Sequence, residues 1–241
     1  LSIDKKQLGN SIRGYYGSEN INADEYLRRF IDIEYSLPEP SVEIFCKYLY
    51  DYFTFEDFFG TAIRQAHPSW RYDKEFFLKL SIKLLSAKHL TLRQVEKLYA
   101  YTRLTLRTFR ENQVVSPDVL FLLIYIKYYE SDLYDVIRRH ELSVQDFVNQ
   151  ISYVYANCLD EDEYERRNFI TSIAGLIYLY NAANRHTMYY KSLFETPKDK
   201  DEQLTFDTNN LDENILLLVL KECQKEYGKY ELSTKSMIQT R

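Results

Sequence analysis

Six glycines and five prolines among 241 residues are too few for a turn-rich all-β chain and suit long helices with short joints. Cysteine is equally sparse. Cys46, Cys158 and Cys223 are far apart, odd in number and without a C-x-x-C pair, which excludes a disulfide framework and a cysteine zinc cluster and fits a reducing, cytoplasmic setting. His67, His89, His140 and His186 show neither H-x-x-x-H nor H-E-x-x-H spacing, so no metal site is read. The longest apolar run, Val119 to Ile126, is far shorter than the roughly 20 residues a membrane-crossing helix needs, so no membrane segment is expected. No G-x-S-x-G elbow or triad seed occurs.

What is present is enough to bury a sizeable core. Hydrophobic residues make up 45% of the chain and charged residues 28%, the balance of a globular body of one or two domains. The net charge of -5 argues against a surface built wholly for nucleic acid or anionic lipid, although a local basic stripe remains compatible with it.

The fold class read from periodicity is mainly α, because apolar residues recur at three and four positions and strict alternation is rare. Asn22 with Glu25 and Thr91 with Gln94 have capping-box spacing, and Ser116 before Pro117 supplies an N-cap with proline at N1. Between these starts run candidate core faces: Ile44, Phe45, Tyr48, Leu49 and Tyr52, then Phe55, Phe58, Phe59, Ala62 and Ile63. Phe76, Phe77, Leu80 and Leu84 follow, then Leu92, Val95, Tyr99, Leu106 and Phe109. Later stripes are Phe147, Ile151 and Val154, then Phe169, Ile173, Ile177 and Tyr180, then the nearly continuous apolar segment Ile215 to Leu220. About ten helices are expected. The 23 tyrosines fall mostly on these faces and read as core and rim packing, with Tyr189-Tyr190 a candidate partner contact. The pattern breaks from Glu111 to Ser116 and again over the polar stretch from Glu195 to Asn210. This divides the chain into a helical region over 1–112 and a C-terminal helical region over 113–241 with a polar loop at 195–210.

The start of the chain carries a more specific signal. Leu1-Ser2-Ile3-Asp4 reads as the end of a strand, without an initiator Met or a capped helix start, and suggests a piece of a larger protein. Ile3-Asp4-Lys5-Lys6-Gln7-Leu8, then Ile12 to Gly17, then Tyr26-Leu27-Arg28-Arg29-Phe30-Ile31, then Leu37-Pro38 resemble, in that order, the segment downstream of the Walker B strand in the KAP family of P-loop NTPases. Leu90-Thr91-Leu92-Arg93-Gln94-Val95-Glu96-Lys97 is similar to that family's helix-opening arginine motif in the lid. The resemblance covers roughly Leu1 to Phe109 and is faint beyond Ser116. It implies a multi-helical lid-type bundle followed by a C-terminal helical region, in a protein that binds ATP and Mg through a nucleotide-binding core preceding Leu1. That missing core would be the first partner, and a protein partner or a second copy a further one. Some bacterial members of the family are linked to phage exclusion.

The chain itself lacks the phosphate-binding parts. No G-x-x-x-x-G-K-[ST] occurs; Gly228-Lys229 is followed by Tyr230, with no glycine five residues earlier. No apolar strand ends in paired acids that would hold magnesium. Hydrolysis is therefore not expected from this chain alone. What it can offer is a cation. Arg93, at N2 if Thr91 is the N-cap, opposes the helix dipole and is the first candidate to reach a terminal phosphate, although its stem can equally cover apolar surface. Arg28 and Arg29 stand as arginine-finger candidates, with Glu25 three and four residues earlier able to staple them to the helix surface. Asp4 is a candidate phosphate or water sensor, or a plain N-cap. Arg103, Arg107 and Arg110 fall at i, i+4 and i+7, a weak candidate stripe for nucleic acid that also fits a solvated face. The competing function is thus a noncatalytic helical module that binds a protein or, less in keeping with its charge, nucleic acid.

Overall fold

The computed structural model describes residues 5–17, 22–29, 38, 40–68, 70–110, 113, 115–158, 162–184, 194–195, 203–204, 215–216 and 218–220. The fold is mainly α. Packing separates Leu1–Pro40 from Ser41–Arg241, and each unit has its own buried residues.

The first unit contains α1 (Lys5–Tyr16) and α2 (Ala23–Leu27). Asn22 Oδ1 accepts from the Glu25 amide at 3.2 Å, the cap that opens α2. Gly17 follows α1 at φ 65°, a left-handed conformation open to glycine without Cβ strain. The two helices contact one another, Ile12 and Leu27 are buried, and the Tyr16 and Tyr26 hydroxyls are 3.0 Å apart.

In the second unit the described helices are α3 (Val42–Tyr52), α4 (Glu56–Phe59), α5 (Ala62–Ala66), α6 (Asp73–Lys88), α7 (Leu92–Leu106), α8 (Pro117–Tyr129), α9 (Ser131–Arg139), α10 (Val144–Tyr155) and α11 (Glu163–Ala183). The central one is α8. Every residue from Val119 to Ile126 is buried, so this stretch of the helix has no solvent face and must be enclosed; α6, α7, α9 and α11 all pack on α8. Pro117 at N1 starts it, as its spacing predicts, but Ser116 makes no side-chain cap bond. Helix α11 comes close at Gly175, where an added Cβ would lie 3.1 Å from Val119 Cγ2. The boundary read at 112/113 falls between α7 and α8, which pack together.

An aromatic cluster joins α6, α7 and α8 to the turn before α4. The Phe77 ring lies 5.1 Å from Phe55, 5.6 Å from Tyr99 and 5.5 Å from Phe121, in stacked and edge-on arrangements. Tyr99 keeps a polar partner at full burial: its hydroxyl is 2.8 Å from Ser81 Oγ. Two further tyrosines bind backbone, Tyr155 donating to Leu122 O at 3.2 Å and Tyr180 to Leu142 O at 2.8 Å. Helices α6 and α9 close on left-handed His89 and His140.

Several expected core faces are corrected. On α3, Leu49 is buried and Phe45 partly buried, as expected, but Ile44, Tyr48 and Tyr52 are exposed, and Cys46 and Tyr50 are buried in their place. The helix is rotated because Tyr50 stacks on Phe55 and Phe59 while its hydroxyl donates to Glu56 at 2.8 Å. Outside, Phe45, Tyr48 and Tyr52 stack on each other, which shields part of their ring surface. On α5, Ala62 and Ile63 face solvent and Arg64 is the buried residue. Phe76 and Leu92 are exposed as well. The stretch read as a polar loop at 195–210 begins inside an antiparallel ladder, in which Phe194 pairs with Leu204 and Glu195 with Gln203. Among the described residues, no helix is long and apolar enough to cross a membrane.

Truncating Phe77 to Ala is expected to cost about 3–5 kcal/mol in urea unfolding, whereas Ile44→Ala should stay within about 0.5 kcal/mol of wild type. Equal losses at the two positions would mean that α3 buries the face its periodicity suggests.

Candidate functional site

The cations proposed from sequence divide into those the fold engages and those it leaves in solvent. Arg93 is of the second kind. Thr91 Oγ1 accepts from the Gln94 amide at 3.4 Å and Gln94 Oε1 accepts from the Thr91 amide at 2.9 Å, so the expected capping box is complete and places Arg93 at N2 of α7. The side chain is exposed and has no ion pair among the described residues. A rigid first turn therefore presents an uncompensated guanidinium beside free helical N–H groups, an arrangement suited to an anion. Arg28 and Arg29 are also exposed, in the turn after α2. Asp4 and Tyr189-Tyr190 lie outside the described residues.

Arg103 does not belong to an exposed stripe. It is 8% exposed, its Nε donates to Phe53 O at 2.9 Å and its Nη2 lies 3.1 Å from Asp57, so it locks α7 to the turn after α3. Arg107 and Arg110 are exposed. The stripe expected at 103, 107 and 110 is thus reduced to its last two members, because the backbone carbonyl exposed where α3 ends requires a donor.

Sequence reasoning missed a perturbed polar cluster around Arg64. Arg64 has no exposed surface; its Nη2 pairs with Asp73, its Nη1 donates to Gln113 O at 3.4 Å, and its guanidinium lies 4.3 Å from the Phe58 ring centroid and 5.1 Å from that of Trp70. Burial pushes the Asp73 carboxyl up to about 7 against the pull of Arg64, and the neighbouring Asp118 pushes the same way. Asp118, in the first turn of α8, is also raised by burial and accepts from Ser172 Oγ of α11 at 2.5 Å. Two buried acids and one buried cation thus meet where α5, α6, α8 and α11 converge. No local signal marked it, since Ala62-Ile63 reads as an apolar face and Arg64 beside it as an exposed cation.

The cluster is a structural device. Its accessible neighbour, a cleft between Phe76, Lys79 and Lys83 of α6 and Asn168 and Ser172 of α11, has a volume of about 20 Å³, room for roughly one water. Nor do the described cysteines supply a nucleophile. Cys46 and Cys158 are free and buried, and burial pushes both thiols up to about 11, away from the reactive thiolate. No group of three or more His, Cys, Asp and Glu that could hold a metal comes together among the described residues.

The raised acids fix the sign of the pH response. Between the ordinary Asp value near 4 and the folded Asp73 value of about 7, the folded chain holds a proton that the unfolded chain has released. This contribution is complete at the acid end, declines as pH rises through that window and is gone above it. Urea midpoints measured at about pH 5 and about pH 8 should show the Asp73 contribution falling with pH, and Asp118→Asn, which removes the like charge and keeps an acceptor for Ser172, should flatten the difference. A profile identical in wild type and Asp118→Asn would contradict this coupling.

No protein-family model, no curated protein and no solved structure matches this chain.

Proposed function

We propose that this chain is the helical lid and C-terminal helical region of an ATP-driven protein of the KAP type of P-loop NTPases, acting in the cytoplasm. ATP and Mg belong to a nucleotide-binding core that precedes Leu1. The residues of this chain do not build a site for either, since it has neither the glycine-lysine phosphate loop nor the paired acids. Its contribution is one cation. What supports the reading is the order of the resembling segments along Leu1 to Phe109, together with Arg93: a permanently charged fork, exposed and without an ion pair among the described residues, on a turn closed by a capping box. Closing such a turn over a terminal phosphate would stabilise charge developing there and help exclude water. Arg28 and Arg29 are second candidates for the same role. A part in defence against phage is the furthest reach of the resemblance.

The competing noncatalytic reading keeps Arg107 and Arg110 of its basic stripe and loses Arg103 to Asp57 and Phe53.

In the complete reading frame that carries this sequence, Arg93→Ala is expected to slow ATP turnover by at least about tenfold while the KM for ATP changes by less than about threefold, and Arg93→Lys should recover part of the loss. Turnover unchanged by Arg93→Ala would remove Arg93 from the mechanism. The isolated chain should show no hydrolysis, and hydrolysis by purified material would contradict the lid assignment.

A further inference from the structure

Helices α7, α8 and α9 leave a groove of about 410 Å³ between them. Leu120 and Leu123 of α8, both buried in the core, form its apolar floor, and Leu104 of α7 lines it while remaining 58% exposed. Tyr101 and Tyr128 stack across it at 4.1 Å and 7° between planes. The two threonines in the lining need nothing from a ligand: Thr105 Oγ1 donates to Tyr101 O at 2.8 Å and Thr108 Oγ1 to Thr105 O at 2.7 Å.

Two polar groups in the lining do need a partner. The Tyr134 hydroxyl is buried without a hydrogen bond, at a cost the fold does not offset internally. Lys127, the one charged residue of the lining, faces the rings of Tyr128 and Tyr134 at 6.0 and 5.5 Å and forms no ion pair among the described residues. Arg107 sits in the chain between the lining residues Thr105 and Thr108, Arg110 follows, and both are exposed without an ion pair among the described residues. The lining thus carries one cation and an unmet hydroxyl, with two exposed arginines beside it in the chain, in a protein whose net charge is -5.

We propose that this groove binds a partner protein through an acidic amphipathic helix, whose apolar face lies against Leu104 and the exposed ring of Tyr128, above the buried Leu120 and Leu123, and whose carboxylates meet Lys127, Arg107 and Arg110. A helix fits the chemistry because its apolar residues at three- and four-residue spacing match a leucine-floored trough, while flanking acids point to the rims. Nucleic acid fits less well: the floor is aliphatic, and Tyr101 and Tyr128 each already cover one ring face with the other. The groove begins about 12 Å along α7 from Arg93, at 1.5 Å per residue, and the proposal does not depend on the nucleotide reading.

Fluorescence anisotropy of the whole chain tests this with two labelled probes: a roughly 16-residue helical peptide with leucines on one face and glutamates flanking them, and its lysine-flanked counterpart. The acidic probe should bind at least about tenfold more tightly than the basic one, and Leu104→Glu and Lys127→Glu should each weaken it by at least about fivefold. Leu104 and Lys127 are not fully buried, so circular dichroism should show both variants folded; if Leu104→Glu unfolds, the doubly exposed pair Arg107→Glu with Arg110→Glu carries the same test. Equal binding of the two probes, or no binding of either at about 1 mM, overturns the proposal. So does tight binding of an oligo-dT strand that Arg107→Ala weakens, which would make the surface a nucleic-acid site, or dimerisation of the chain that Leu104→Glu abolishes.

Discussion

The fold depends on one constraint: the middle of α8 is apolar on all sides and cannot meet water. Eight consecutive buried residues, Val119 to Ile126, require neighbours around the whole circumference, and α6, α7, α9 and α11 provide them. The contacts are tight where the sequence permits it, as at Gly175 against Val119, and aromatic where α6 and α7 meet the helix through Phe77, Tyr99 and Phe121. Enclosing α8 also determines what reaches the surface. The start of α7 lies clear with Arg93, and between α7 and α9 the enclosure is incomplete and leaves the groove.

Charge is distributed by the same logic. Arg64 and Arg103 are buried and each meets an acid and a backbone carbonyl, the condition under which a buried guanidinium is tolerated. Arg93, Arg107 and Arg110 are exposed and form no ion pair among the described residues. The buried and the exposed arginines are therefore distinct sets, and the burial of Arg103 is what tells them apart within a stretch that looks uniform in sequence.

Much of the helical architecture was legible beforehand. The capping box at Thr91, the cap at Asn22 and the proline start of α8 are local signals, made by residues within one turn, and the structure contains each of them. The faces of α3 and α5 were not legible, since Tyr48 and Tyr50, or Ile63 and Arg64, differ in burial through contacts with distant elements. Tyr50 turns inward because Phe55 and Phe59 stack on it, and Arg64 because Asp73 and two aromatic rings receive it. The acid pair Asp73 and Asp118 lies 45 residues apart in the chain, and no spacing rule connects such residues. Arg93 could be placed on its helix from sequence; that it forms no ion pair among the described residues, Glu96 of the same helix included, required the structure.

The central claim is that the head of α7 meets a terminal phosphate. It is tested most directly by photolabelling the complete reading frame with an ATP analogue whose reactive group sits on the γ-phosphate, followed by mass mapping. The label should fall in the peptide holding Thr91 to Lys97 and should be displaced by unlabelled ATP. Competable label confined to other segments, with none at the head of α7, would contradict the account.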